Sequence, residues 1–169
     1  MIRWDAPNDT ASFMLEYTVD NGIVWNTITT ATAVNANYYN WQVPSSITDQ
    51  ARIRISRNNI FDESDANFTI VNVPNLSVNW YCPDSIYVSW DSIYGATGYE
   101  VSMLGQKYMD SMTTVLNSGL GTYTALIINP NPLNTNSWFS VCSKVNGQKG
   151  RRAIAVNAQS ANNLSLIHI

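Results

Sequence analysis

Apolar and polar residues alternate with a period of two along almost the whole chain, and nothing else in the sequence constrains the fold as tightly. Ile2 and Trp4 alternate, then Phe13, Leu15, Tyr17 and Val19, then Tyr39, Trp41 and Val43, then Ala51, Ile53 and Ile55 with Arg52 and Arg54 facing out. Successive side chains of a strand point to opposite faces, so this spacing buries one face and wets the other. No stretch of useful length carries the 3.6-residue period of an amphipathic helix. Asp20-Asn21-Gly22 is a hairpin signal, because Asn and Gly accept a positive φ. Asn58-Asn59 and the acidic stretch Asp62-Glu63-Ser64-Asp65 read as a turn before Phe68-Thr69-Ile70. Short strands at such regular spacing predict a β-sandwich over residues 1–73.

Pro74 cannot continue a central strand, so Val71-Asn72-Val73-Pro74-Asn75 marks a boundary. Beyond it the rhythm repeats. Leu76, Val78 and Trp80 alternate, Cys82-Pro83-Asp84 turns, and Ile86, Val88 and Trp90 alternate again. Gly95-Ala96-Thr97-Gly98 leads into Tyr99, Val101 and Met103. After Asn117-Ser118-Gly119 comes Tyr123–Ile128, which runs to Pro130 and Pro132, and Phe139, Val141, Ser143 and Val145 reach the Asn146-Gly147 turn. Residues 74–163 have the size of one more sandwich. The expected fold is all-β, with two tandem sandwiches and a linker around Pro74 that holds the pair extended.

Only 12% of residues are charged, against about 25% in ordinary domains. Ser, Thr and Asn make up close to a third of the chain, so hydroxyls and amides keep the surface wet. A net charge of −3 argues against a nucleic-acid partner, and no apolar run approaches the roughly 20 residues of a membrane span. Two cysteines, Cys82 and Cys142, and one histidine, His168, are too few for a Cys/His zinc site. The histidine is penultimate, where a general base is poorly held. No catalytic residue and no cofactor is expected.

Leu164-Ser165-Leu166-Ile167-His168-Ile169 is what CTG TCT CTT ATA CAC ATC encodes, which matches a transposon-end sequencing adapter. Residues 164–169 are therefore read as a non-native tail and set aside from the fold.

Val88-Ser89-Trp90-Asp91, Gly95-Ala96-Thr97-Gly98-Tyr99-Glu100-Val101 and Phe139-Ser140-Val141 resemble a fibronectin type III domain. The resemblance spans the second unit and places Trp90 in its second strand, Tyr99 in its third and Phe139 in its sixth. One departure is Ser137, which stands where the family usually has a corner tyrosine; packing by Trp138 is the expected compensation. Leu15–Gly22, Trp25, Tyr39–Pro44, Arg52–Ser56 and Asp65–Ile70 resemble a bacterial immunoglobulin-like module. Such modules accompany fibronectin type III domains in proteins exported by the type IX route, often beside a peptidase. The resemblance implies a fragment truncated at both ends, with the first strand of the first unit missing, from an extracellular or cell-surface protein.

Several residues invite a site. Asp62, Glu63 and Asp65 offer oxygen ligands to Ca²⁺ but lack the usual loop spacing, and a solvated hairpin tip is the competing reading. Tyr38, Tyr81, Tyr87 and Tyr108 are candidate exposed aromatics for a glycan, whereas Trp4, Trp25, Tyr39, Trp41, Val43, Trp80 and Trp90 fall on inward parity. Lys149, Arg151 and Arg152 form a basic cluster suited to an acidic partner. Cys82 and Cys142 form either a disulfide or two separate thiols, since nothing in the sequence brings them within bridging distance. Four basic residues oppose eight acidic ones in 1–73, and five oppose four in 74–169. Asn8, Asn67 and Asn75 sit in glycosylation-type sequons. The expected role is a non-catalytic spacer or interaction module, with neighbouring domains of the same chain as partners. A module that binds protein or glycan at the cell surface is the alternative.

Overall fold

The computed structural model describes residues 1–5, 11–82, 85–105, 107–116, 119, 121–128 and 137–157. These form strands and no helix, and the chain divides into two compact units, Met1–Ile70 and Val71–Ile169. The division falls just before Val71, ahead of Pro74, because Val71 packs on the second core and the Asn72 carbonyl accepts a 3.0 Å hydrogen bond from the Ser143 hydroxyl.

The first unit contains β1 (Ile2–Arg3), β2 (Met14–Thr18), β3 (Asn26–Thr29), β4 (Tyr38–Tyr39), β5 (Thr48–Arg57), β6 (Ile60–Glu63) and β7 (Phe68–Ile70). The order β3-β2-β5-β6 makes one sheet, β7 pairs with the start of β5, and β1 pairs with β4 in a two-stranded ribbon. Register sets Leu15 opposite Ile55 and Tyr17 opposite Ile53, so the alternating residues share one face. The core here is small: Leu15, Ala51 and Ile70 are buried. Thr18 is buried with them, its hydroxyl accepting from Gly22 N–H at 3.1 Å and donating to Asp20. Asn21 and Gly22 hold φ of 58° and 91°, the left-handed turn expected of them.

Two inward assignments are corrected. Val43 is exposed and lies outside any strand, because the chain leaves the sheet after Tyr39 and approaches Pro44, which cannot donate to a ladder. Trp25 lies on the outer face, its ring centroid 3.9 Å from the Arg54 guanidinium, whereas half-buried Trp41 packs on inward Tyr17, ring centroids 5.1 Å apart.

The second unit contains β8 (Leu76–Cys82), β9 (Ser85–Asp91), β10 (Gly98–Leu104), β11 (Met109–Leu116), β12 (Thr122–Ile128), β13 (Trp138–Val145), β14 (Gln148–Arg152) and β15 (Val156–Asn157). One sheet runs β12-β9-β8, the other β11-β10-β13-β14 with β15 added to β13, and every pairing is antiparallel. Ile86, Val88, Trp90, Ala125 and Ile127 from the first meet Tyr99, Val101, Phe139 and Val141 from the second in one buried cluster, which makes a sandwich. Trp90 and Tyr99 meet edge to face at 5.5 Å, and Tyr123 lies 5.0 Å from Tyr99. Such aromatic pairs add about 0.5–1.5 kcal/mol each beyond area burial.

The compensation expected of Trp138 is also corrected, since that side chain is 41% exposed. A corner bond forms elsewhere. Tyr123, in β12, accepts from Gly119 N–H at 3.1 Å and donates to Gly119 O at 2.7 Å, pinning the turn before its own strand. Tyr99 does the same for another loop by accepting from Ile93 N–H at 2.7 Å.

Candidate interaction surfaces

The most elaborate surface of the first unit is the β5–β6 hairpin. Asn58 and Asn59 hold φ of 51° and 63°, so two residues close the turn and Arg57 pairs with Ile60. Asn tolerates this region better than other non-glycine residues. Three pairs further on, Arg54 stands opposite Glu63. Arg54 Nε and Nη2 both donate to Glu63 Oε1, at 3.0 and 2.7 Å, and Arg52 Nη1 lies 3.0 Å from Oε2. Arg52 Nη2 also donates to Ser64 O at 2.7 Å. The Arg54 guanidinium lies 3.9 Å from the Trp25 ring centroid and 4.8 Å from that of Phe61. Arg52 and Arg54 thus form a half-buried ion-pair network on the sheet instead of facing free solvent.

This network removes the calcium reading. Both carboxylate oxygens of Glu63 already face guanidinium groups, and register places Asp62 opposite Ile55, on the other face of β6. Asp65 lies past the strand end, and among the described residues no three acidic, His or Cys side chains converge as a metal site. The acidic stretch is itself corrected in part: Asp62 and Glu63 are strand residues, Asn58-Asn59 makes the turn ahead of them, and Asp65 alone of the three lies in the bend before Phe68.

A cavity of about 550 Å³ opens beside this hairpin, with Trp4, Phe13, Ile55, Arg57, Ile60 and Asp62 among its walls. Arg57 stacks on Phe13 at 4.5 Å from the ring centroid, so the chain's own cation covers part of the aromatic wall.

In the second unit the basic cluster divides. Lys149 Nζ lies 2.8 Å from Glu100 Oε1 and Arg152 Nη2 lies 3.8 Å from it, while the Glu100 side chain is only 5% exposed. Arg151 is exposed and borders a second cavity of about 410 Å³ with Val73, Ile154 and Val156. Cys142 pairs in register with Glu100 and is buried. Burial first, and then the Glu100 carboxylate, push its thiol above the usual 9.0, so it is a poor nucleophile.

Cys142 is a free cysteine. It projects from β13 on the face opposite Phe139 and Val141, away from the sheet that holds Cys82 in β8. The Cys82 and Tyr81 side chains and His168 lie outside the described residues, as do Pro83, Asp84, Asn8, Pro130, Pro132 and residues 164–169. Tyr38 is exposed on β4, Tyr87 half-buried on β9, and Tyr108 exposed in the β10–β11 connection, its ring 5.3 Å from its own neighbour's Lys107 Nζ.

Two features go beyond what the strand pattern announces. Arg52 and Arg54 at alternate positions, with Glu63 nine residues beyond Arg54 across an Asn-Asn turn, carry the signal of a cross-strand network. Glu100 gives no signal, because nothing local shows that an outward position will be covered.

No protein-family model matches the chain, and no curated protein matches it. Among solved structures it is similar to the chicken CNTN1 FN1-FN3 domains, at 16% identity and a TM-score of 0.44. That match covers 88% of this chain and 56% of the other, so the chain spans a little over half its length. Sheet order, register and the shared core make the second unit an antiparallel β-sandwich. Among the described residues no helix is long and apolar enough to cross a membrane.

Proposed function

We propose that the chain is a non-catalytic spacer and interaction arm of a larger secreted or cell-surface protein, accessory to a peptidase. The observation that carries this reading is where the polar chemistry lies. The second core is apolar and aromatic, built from both sheets, and the ion pairs sit on outer faces and edges. A sandwich of this kind keeps its core independent of its surface, so edges and loops can serve a partner without cost to the fold. The secreted setting and the peptidase neighbour rest on the resemblance of the two units to exported tandem modules. A glycan-binding role has less support, because the candidate tyrosines sit on separate elements.

The parent coding sequence, read from unfragmented template in both directions, tests this. Continuation into a peptidase upstream and a sorting domain downstream is the expected result. A start codon at Met1 and a stop after Ile169, both native, would remove the accessory role. Turnover of a peptide or glycoside substrate by the isolated chain would remove the non-catalytic one.

A further inference from the structure

Two sheet edges of this chain carry exposed apolar side chains, and they carry opposite charge. The first is β6, terminal in the order β3-β2-β5-β6. Ile60 is 76% exposed and Phe61 60%, with Asp62 and Asp65 exposed beside them. The second is the β14–β15 edge, where residues 153–155 lie between the two strands and Ala153 N–H donates to Val141 O of β13 at 2.8 Å. Ile154 is 89% exposed there, Val73 is exposed next to it, and Arg151 and Arg152 border the same cavity of about 410 Å³. Large apolar residues on an open edge favour pairing with another chain, and proteins usually blunt such edges with charge or a bulge. Here the charge on each edge is the complement of the charge on the other.

We infer that the chain associates head to tail with further copies of itself, the β6 edge of one copy docking on the β14–β15 edge of the next. Ile60 covers Ile154 and Val73, while Asp62, on the same face of β6, and Asp65 beyond the strand end face Arg151 and Arg152. A second copy is favoured over an unrelated partner because both halves of the contact are present on one chain. Charge also selects the arrangement. The first unit carries eight acidic against four basic residues, so a contact between two β6 edges sets like charges together. The two surfaces differ, so the contact is heterologous and generates a growing chain instead of a closed two-fold dimer. Few residues take part on each side, so the contact falls well below a standard stable interface and is weak and salt-sensitive. The inference is independent of the spacer role, since a free-standing chain and an arm of a larger protein present the same edges.

Sedimentation equilibrium of the whole chain across a concentration series, at low and high salt, tests it. The expected mass rises past that of a dimer at low salt and falls back as salt increases. Asp62→Lys and Arg151→Glu, both at exposed positions, each weaken association at least about tenfold. An equimolar mixture of the two variants recovers it, because Lys at position 62 then meets Glu at position 151. Circular dichroism and urea unfolding report whether each variant keeps its fold; if either does not, Ile154→Asp takes its place and weakens association to the same degree. A monomer at every concentration up to about 1 mM overturns the inference. So does a dimer that does not grow, an association unmoved by the substitutions, or a mixture as weak as either variant alone.

Discussion

Glu100 and Cys142 face one another across the β10–β13 pair, on the side of the sheet turned away from the core, and both are buried. Ser102 and Ser140, the next pair on that face, are buried too. The middle of this sheet's outer face, between β10 and β13, is therefore a covered polar strip. Its one carboxylate is matched by Lys149 at 2.8 Å and, more loosely, by Arg152 at 3.8 Å.

Lys149→Met leaves that carboxylate with the distant guanidinium alone. Removing one partner of a fully buried pair costs about 3–5 kcal/mol. Lys149 is half exposed, so screening reduces the expected cost to roughly 1–2 kcal/mol. Urea unfolding of the second unit is the measurement. Adding Glu100→Gln to Lys149→Met should recover much of the loss, because the uncompensated charge is gone. A double variant less stable than the single one contradicts the assignment.

Burial raises the Cys142 thiol above 9.0, and burial likewise raises the Tyr99 hydroxyl above 10.0. Between the unfolded and the folded value, the folded state keeps a proton that the unfolded state has released. The stability tied to both groups is thus complete below the unfolded values and lost as pH rises through the folded ones. The second unit should lose stability progressively above pH 9, and Cys142→Ser should flatten the first part of that decline. A disulfide-exchange reagent should label Cys142 only on unfolding, and rapid labelling of the folded chain would count against the burial argument.

Acid acts on the other unit. The Thr18 hydroxyl, followed by the Val24 N–H, holds the Asp20 carboxyl below its usual 3.8. Val24 N–H donates to Asp20 Oδ1 at 2.9 Å. A depressed carboxylate stabilises the fold above its unfolded value, and that contribution disappears as pH falls through the folded one. Amide exchange of residues 20–24 should accelerate in that acid range. In Asp20→Asn it should be faster at neutral pH and change little with acid. Equal acid sensitivity in both proteins would assign the effect to another group.

How much of the fold is legible in the sequence follows from range. The period-two pattern reports on a residue's own strand, so alternation by itself places Leu15, Ile53, Val88, Tyr99, Val101, Phe139 and Val141 on inner faces. Asn21-Gly22 and Asn146-Gly147 mark turns because positive φ is a local property. Covering is not local. Alternation puts Cys142 and Glu100 on the outer face, and it carries no information about Lys149 folding back over them. Val43 fails for the converse reason: its parity is correct for a strand that Pro44 ends early. The surfaces are legible as composition, acidic in one place and basic in another. Their division into ion-paired and free charges depends on cross-strand register, which sequence spacing alone leaves open.

Arg54 shows what that register does for the first unit, whose small core cannot supply much stability. Its guanidinium spans Trp25 and Phe61 and donates twice to Glu63, four contacts that need a planar group with several donors. A lysine keeps the charge but offers neither the plane nor the fork. Cation–π contacts contribute about 0.5–1 kcal/mol at exposed sites and more when desolvated. Arg54→Lys should therefore destabilise the first unit by about 1 kcal/mol, with Arg52 still holding Glu63. Indole fluorescence should shift as the guanidinium leaves Trp25. Phe61→Ala separates the two ring contacts: it should lower stability less than Arg54→Lys, because 4.8 Å is a looser stack than 3.9 Å. If Phe61→Ala proves the more damaging, the hairpin depends on packing of that ring, and the guanidinium is secondary.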